Sequence, residues 1–190
     1  METVLKIGDA LQRFVARVGK IAAWAGVALI VLTMFDVITR RFFVLGSTKL
    51  QELEWHLHTV LFMFCLGYAY VKDQHVRIDL VRERLPERTK SWIEILGILL
   101  ALIGYCCMLI YFSFPWMVQS FEQNEMSSSA TGLSHRFLIK AALPAGFLLL
   151  LMAGLGVLCK RIVHLFGPPH LSAIALADRT DAPKPSASDA

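Results

Sequence analysis

The chain has 190 residues, of which 56% are hydrophobic and only 18% are charged, and its mean hydropathy is +0.56. The apolar residues come in long runs with the charges clustered between them, which excludes an ordinary soluble domain. The net charge of +4 is small and the basic residues flank the apolar runs, which speaks against a nucleic-acid-binding protein. The sequence therefore predicts an all-α integral membrane protein with four transmembrane helices.

Residues 1–20 are predicted to form an amphipathic helix. Its apolar residues recur at steps of three and four, and basic residues fill the remaining surface, which is typical of a helix on an anionic membrane face. The apolar positions are Val4, Ile7, Leu11, Phe14 and Val18. A simple extension of the first span is the alternative. No small-residue cleavage site interrupts the apolar run that begins near Ile21, so we interpret this run as a retained signal-anchor.

Residues 21–165 are predicted to form a four-helix membrane domain. The four spans are expected at about Ile21–Phe43, Thr48–Val71, Trp92–Phe114 and Phe137–Leu158. The charged segment between the second and third spans alternates apolar and basic residues, which predicts a short interfacial helix. Residues 166–190 are rich in Pro, Ala, Ser and Asp, a composition that predicts a disordered tail.

The distribution of positive charge predicts the orientation in the membrane. If both termini are cytoplasmic, the inner segments hold most of the 19 Lys and Arg residues, whereas the opposite orientation places most of them outside. Because cytoplasmic loops carry the excess of Lys and Arg, we predict that both termini and the tail are cytoplasmic.

Three pairs of polar residues in or near the spans are spaced i, i+4. Asp36 and Arg40 have the order that favours a helix ion pair, which predicts a neutralised pair at the outer boundary; contact with a partner subunit is the alternative. The other pairs, Glu52/His56 and Glu54/His58, lie on nearly opposite faces of the second span. Because both faces cannot meet lipid without cost, at least one, preferably that of Glu52 and His56, is expected to pack on protein.

The sequence has no pattern that requires catalysis, a cofactor or a metal. A metal site would need Glu52, His56 and a ligand such as His135 from another loop. A haem between His56 and His75 is disfavoured because they lie roughly 28 Å apart along one helix. No P-loop, dinucleotide fingerprint or nucleophile elbow is present. We therefore predict no enzyme, although a small four-helix haem or redox protein using His56, His58 or His135, and a stand-alone transporter, stay as alternatives.

The stretch Glu52–Asp79, ELEWHLHTVLFMFCLGYAYVKDQHVRID, carries a family resemblance. An acidic residue before a Trp opens the second span, and the apolar run ends in Leu66-Gly67-Tyr68-Ala69. The segment His75-Val76-Arg77-Ile78-Asp79 follows, and then Leu85-Pro86. This order resembles the small membrane subunit of tripartite ATP-independent periplasmic (TRAP) transporters, the DctQ-like family.

The resemblance implies an accessory subunit of a secondary transporter, a symporter that takes up organic acids such as dicarboxylates or sugar acids across the bacterial inner membrane. It implies three kinds of partner: a large multi-span permease subunit, a periplasmic substrate-binding protein and membrane lipids. In that setting, the candidate partner-interface residues are Arg40, Arg41, Glu52, Trp55 and Gly67, and the cytoplasmic motif is His75, Arg77 and Asp79.

Overall fold

The computed structural model describes residues 1–43, 46–74 and 85–180. Every regular element in this part of the chain is a helix, which confirms the all-α prediction. The elements in chain order are α1 (Glu2–Phe43), α2 (Thr48–Val71), α3 (Glu87–Gly97), a π-helical segment (Ile98–Ile103), α4 (Gly104–Glu122), α5 (Phe137–Phe166) and α6 (Pro169–Thr180). The predicted interfacial helix lies largely outside the described residues.

Helix α1 contains both the predicted amphipathic stretch and the predicted first span in one uninterrupted helix of 42 residues. Its buried residues recur at steps of three and four, the spacing that keeps one narrow seam against neighbouring helices. In the first half of the helix they are Leu5, Gly8, Gln12, Val15, Gly19 and Ala22, and Asp36 is buried further along. This seam lies one residue later than the predicted apolar stripe, of which Ile7 and Phe14 are about half exposed.

Helices α1, α2 and α5 pack on one another and form the core of the molecule. Small residues allow the close approach, since a side chain at these positions would clash. A Cβ atom on Gly67 would lie 3.0 Å from the Leu149 carbonyl oxygen, and one on Gly146 would lie 2.9 Å from the Met63 carbonyl oxygen. Gly8 and Gly156 form a third close approach, between α1 and α5.

Helices α3 and α4 form one long run through the π-helical segment and pack mainly on α5. The run begins directly after Pro86 and passes through Pro115, so the third predicted span extends beyond that proline. Its remaining faces are apolar and exposed. These outward side chains include Trp92, Leu100, Tyr111 and Phe112.

Helix α6 lies in the stretch for which the composition predicts disorder. Pro169 occupies its first position, where a missing N–H is tolerated. Ala175 and Leu171 pack with Leu5 and Val163 in a small apolar cluster. The Ser172 hydroxyl also donates to the His164 carbonyl oxygen at 3.2 Å. Tertiary contacts therefore order a segment whose composition alone does not predict a helix.

Three helical runs in the described part of the chain are long and apolar enough to cross a membrane: Glu2–Phe43, Glu87–Glu122 and Phe137–Phe166. Helix α2 has 24 residues, which suffices for a span, but Glu54, His56 and His58 lower its hydropathy. The fold therefore supports three candidate spans and a more polar helix packed between two of them.

Candidate docking surface

Three of the predicted site residues, Arg40, Arg41 and Glu52, lie at one end of the bundle. Here α1 ends, α2 begins and the loop 123–136 connects α4 to α5; we call this the loop end, and the end with the N-terminus and α6 the tail end. Asn124 and His135 adopt positive φ angles of 46° and 65° and turn the chain at either side of the loop. The Arg136 N–H donates to the Glu125 carbonyl oxygen at 3.1 Å, which closes the loop.

Glu52 holds this loop onto the start of α2. Its carboxylate accepts hydrogen bonds from the Ser127 hydroxyl and from the Leu133 N–H, the latter at 2.6 Å. Gly132 leaves the space for this contact, since a Cβ there would lie 2.8 Å from the Glu52 carboxylate. The predicted interface residue Glu52 is therefore engaged by its own chain, and the surface it organises is the folded loop.

Lys140 forms a second polar cluster beside the loop. Its ammonium group pairs with Glu125 and lies 4.3 Å from the centre of the Trp116 ring, a cation–π distance. Arg136 is also within 3.9 Å of Glu125. The hydrogen bond from Lys140, aided by the positive charges of Lys140 and Arg136, lowers the pKa of Glu125 below its usual value. Charge attraction therefore fixes the loop to α5.

The end of α1 presents two arginines at the loop end. Asp36 is buried and pairs with Arg40, as its i, i+4 spacing predicts. Arg40 and Arg41 are both exposed. Arg40 is therefore exposed although its guanidinium pairs with Asp36.

The two remaining candidates on α2 differ in accessibility. Trp55 is 69% exposed, so it is available to a partner or to lipid. Gly67 is buried between Val15 of α1 and Leu149 of α5, and its small size serves packing within the chain. The cytoplasmic motif His75, Arg77 and Asp79 lies outside the described residues.

The histidines considered as ligands lie in separate environments. His56 Nδ1 is 2.6 Å from the Glu52 carbonyl oxygen, within its own helix. His135 Nδ1 is 2.8 Å from the Ser134 hydroxyl in the loop. His58 is exposed on α2. Among residues 1–43, 46–74 and 85–180, no group of three or more His, Cys, Asp or Glu side chains could hold a metal ion.

The tail end contains buried ion pairs that the sequence analysis missed. Arg161 donates from Nε and Nη2 to Glu94 Oε2, each at 2.7 Å, and Nη1 lies 3.4 Å from the Ser91 hydroxyl. Lys160 pairs with Asp9 of α1 at 2.9 Å. In the sequence, Lys160 and Arg161 stand at the end of an apolar run. That position indicated the orientation in the membrane but not the acidic residues with which they pair.

The fold defines a helical membrane protein with a folded polar loop at one end of its bundle. The chain belongs to the family described as Tripartite ATP-independent periplasmic transporters, DctQ component, whose model matches residues 29–164, more than half of the sequence. No curated protein matches the chain. This family is a transporter component rather than an enzyme family, and it works with a large permease and a binding protein.

Proposed function

We propose that this chain is the small scaffold subunit of a secondary transporter that imports organic acids, such as dicarboxylates or sugar acids, by symport. The family match carries this proposal. Its large permease subunit would hold the substrate and coupling-ion sites, and its periplasmic binding protein would deliver the substrate. This chain would enlarge and anchor the static part of the permease in the bacterial inner membrane.

The proposal includes four spans with both termini in the cytoplasm. Helix α2 lies between α1 and α5, so it would cross the membrane with them despite its polar first half. The loop end then faces the periplasm, in keeping with the excess of Lys and Arg at the other end of the bundle. Arg40, Arg41 and the loop held by Glu52 would meet the binding protein or the outer surface of the permease. His75, Arg77 and Asp79 would lie at the cytoplasmic membrane surface, against anionic lipids.

The experiment is purification of the tagged full-length chain from its native membrane in several mild detergents, with the co-purifying proteins identified. We expect one large polytopic membrane protein in stoichiometric amount. A strain without this chain should also lose uptake of one class of organic acid and regain it on complementation. Recovery of the chain alone in every detergent, with uptake unchanged in the deletion strain, would overturn the proposal.

A further inference from the structure

One face of α2 is turned away from the rest of the chain. Trp55, His58 and Phe62 recur at steps of three and four, so they share one side of the helix. Trp55 and Phe62 are 69% and 60% exposed, and His58 is exposed as well. Met63 and Gly67, on the opposite side of α2, are buried against α5. We call the three exposed residues the α2 outer face.

If α2 crosses the membrane as proposed above, the α2 outer face places an imidazole within the membrane. His58 lies six residues beyond Glu52, which is fixed at the polar loop, so it is about 9 Å further along the helix axis. Within the described part of the chain, His58 has no hydrogen-bond partner, although the neighbouring His56 has one in the Glu52 carbonyl oxygen. A polar group that faces hydrocarbon without a partner is costly, and the polar residues of spans usually face protein.

The outward face of α1 provides the comparison within this chain. Its exposed residues at membrane depth are apolar and include Ile21, Trp24, Ile30 and Val31. Lipid tails satisfy such a surface without any hydrogen bond. Neither the outward face of α1 nor the α2 outer face packs on another described helix of this chain. They differ in chemistry, because only the α2 outer face contains an imidazole that can form a hydrogen bond with a partner.

We propose that the α2 outer face is the surface on which a transmembrane helix of the large permease docks. That helix would present a hydroxyl, amide or charged group to His58 and an apolar surface to Trp55 and Phe62. Tryptophan is enriched among the residues that dominate binding at interfaces. In a membrane-spanning α2, His58 and Phe62 would face a membrane helix and not a soluble partner such as the binding protein. This inference rests on the proposed function, since that function supplies the membrane partner.

Photo-crosslinking tests the position of the partner. A benzophenone amino acid replaces Phe62 in one full-length variant and, as the matched control, the similarly exposed aromatic Trp24 of α1 in another. Irradiation of native membranes should give, from position 62, an adduct with the combined mass of this chain and the large permease. Such an adduct supports the proposal whether or not position 24 reacts. Adducts from position 62 with lipid only, or with a second copy of this chain, would overturn it.

Substitution of His58 tests its chemistry. We expect His58→Leu to reduce the amount of co-purified permease about three- to tenfold, since the partner's polar group is left unsatisfied. His58→Gln should retain more of the complex because an amide can still form a hydrogen bond, and Trp24→Leu should change it little. Recovery with His58→Leu equal to that of the unmodified chain would show that His58 faces lipid.

The outcomes separate this inference from the function on which it rests. If the unmodified chain recovers no large membrane partner, the proposed function itself fails. If it recovers the permease but position 62 gives no adduct with it, only the assignment of the docking face fails, and other exposed faces become the ones to probe.

Discussion

Helix α5 and the long run of α3 and α4 are similarly apolar but occupy different places in the molecule. Of the most apolar 18-residue window in each, 56% of residues are buried in α5 and only 17% in the α3–α4 run; the value for α1 is 11%. Helix α5 packs on α1, α2, α3, α4 and α6, whereas the α3–α4 run packs mainly on α5. Among these apolar helices, hydropathy alone therefore does not indicate which one is central.

The greater burial of α5 is explained by its small residues and by the charged residues near its end. Helix α5 buries Gly146, Ala153, Gly154 and Gly156, which let neighbouring helices approach closely. Near its end it also carries Lys160 and Arg161, both buried and both paired with acids on other helices. The glycines at the start and end of the π-helical segment in the α3–α4 run, in contrast, face open space. Substitutions in the packed helix α5, compared with a matched substitution in the exposed α3–α4 run, test this explanation.

The largest loss of folding stability is expected from breaking the buried ion pair of Arg161 and Glu94. Arg161→Met leaves the half-buried carboxylate of Glu94 without its guanidinium, which should destabilise the fold by about 3–5 kcal/mol. The measurement is reversible unfolding in detergent, followed by circular dichroism. Combining Arg161→Met with Glu94→Leu should recover much of the loss, because no unpaired carboxylate then remains. A double variant as unstable as the single one would show that the charge pair is not the source of the effect.

A smaller change in stability is expected from glycine substitutions in α5 and in the α3–α4 run. Gly146→Ala places a Cβ 2.9 Å from the Met63 carbonyl oxygen, so α2 and α5 must move apart, at a cost of about 1–3 kcal/mol. Gly104→Ala is the matched control, because nothing lies within 4 Å of its Cβ and alanine favours the helix by about 1 kcal/mol. Thermal unfolding of both variants in the same detergent compares them. Equal destabilisation by the two would remove the distinction between a packed and an open helix.

The sequence predicted the helices well and their contacts poorly. The predicted second span, Thr48–Val71, has the bounds of α2, because turn residues and charges mark both of its ends. The apolar stripe of residues 1–20 was displaced from the buried seam by one residue, since apolar side chains in a membrane protein face lipid as readily as protein. Periodicity therefore found the helix but not its inner face.

The same limit applies to the candidate site. The i, i+4 pairing of Asp36 with Arg40 could be predicted because it is local. The bonds from Ser127 and Leu133 to Glu52, and the pair of Arg161 with Glu94, join residues far apart in sequence. Such contacts depend on which helices become neighbours, and no single residue pattern in one chain specifies that. The resemblance placed Glu52 among the interface candidates, and only the structure shows that its carboxylate holds its own loop.

The smallest effect is expected at the loop end, where a charge pair is partly exposed. Lys140 and Arg136 lower the pKa of Glu125 below its usual value of 4.5, so the pair contributes its full stabilisation above about pH 4.5 and loses it as pH falls through the lowered pKa. Glu125→Gln removes the negative charge that acid would neutralise. At pH 7 the variant should therefore loosen the loop in the same way as low pH loosens it in the native protein. Hydrogen exchange of the Arg136 amide, whose N–H donates to the Glu125 carbonyl oxygen, measures this when variant and native protein are compared at each pH.

The neighbouring exposed acid gives the control for this prediction. Glu122→Gln removes the same charge outside the loop contacts and should leave exchange of the Arg136 amide unchanged. A pH response that remains in Glu125→Gln would be assigned to Glu52, the second carboxylate that holds the loop. If the Arg136 amide exchanges equally fast in Glu125→Gln and in the native protein at pH 7, backbone hydrogen bonds and Glu52 are enough to hold the loop without the Glu125 charge pair.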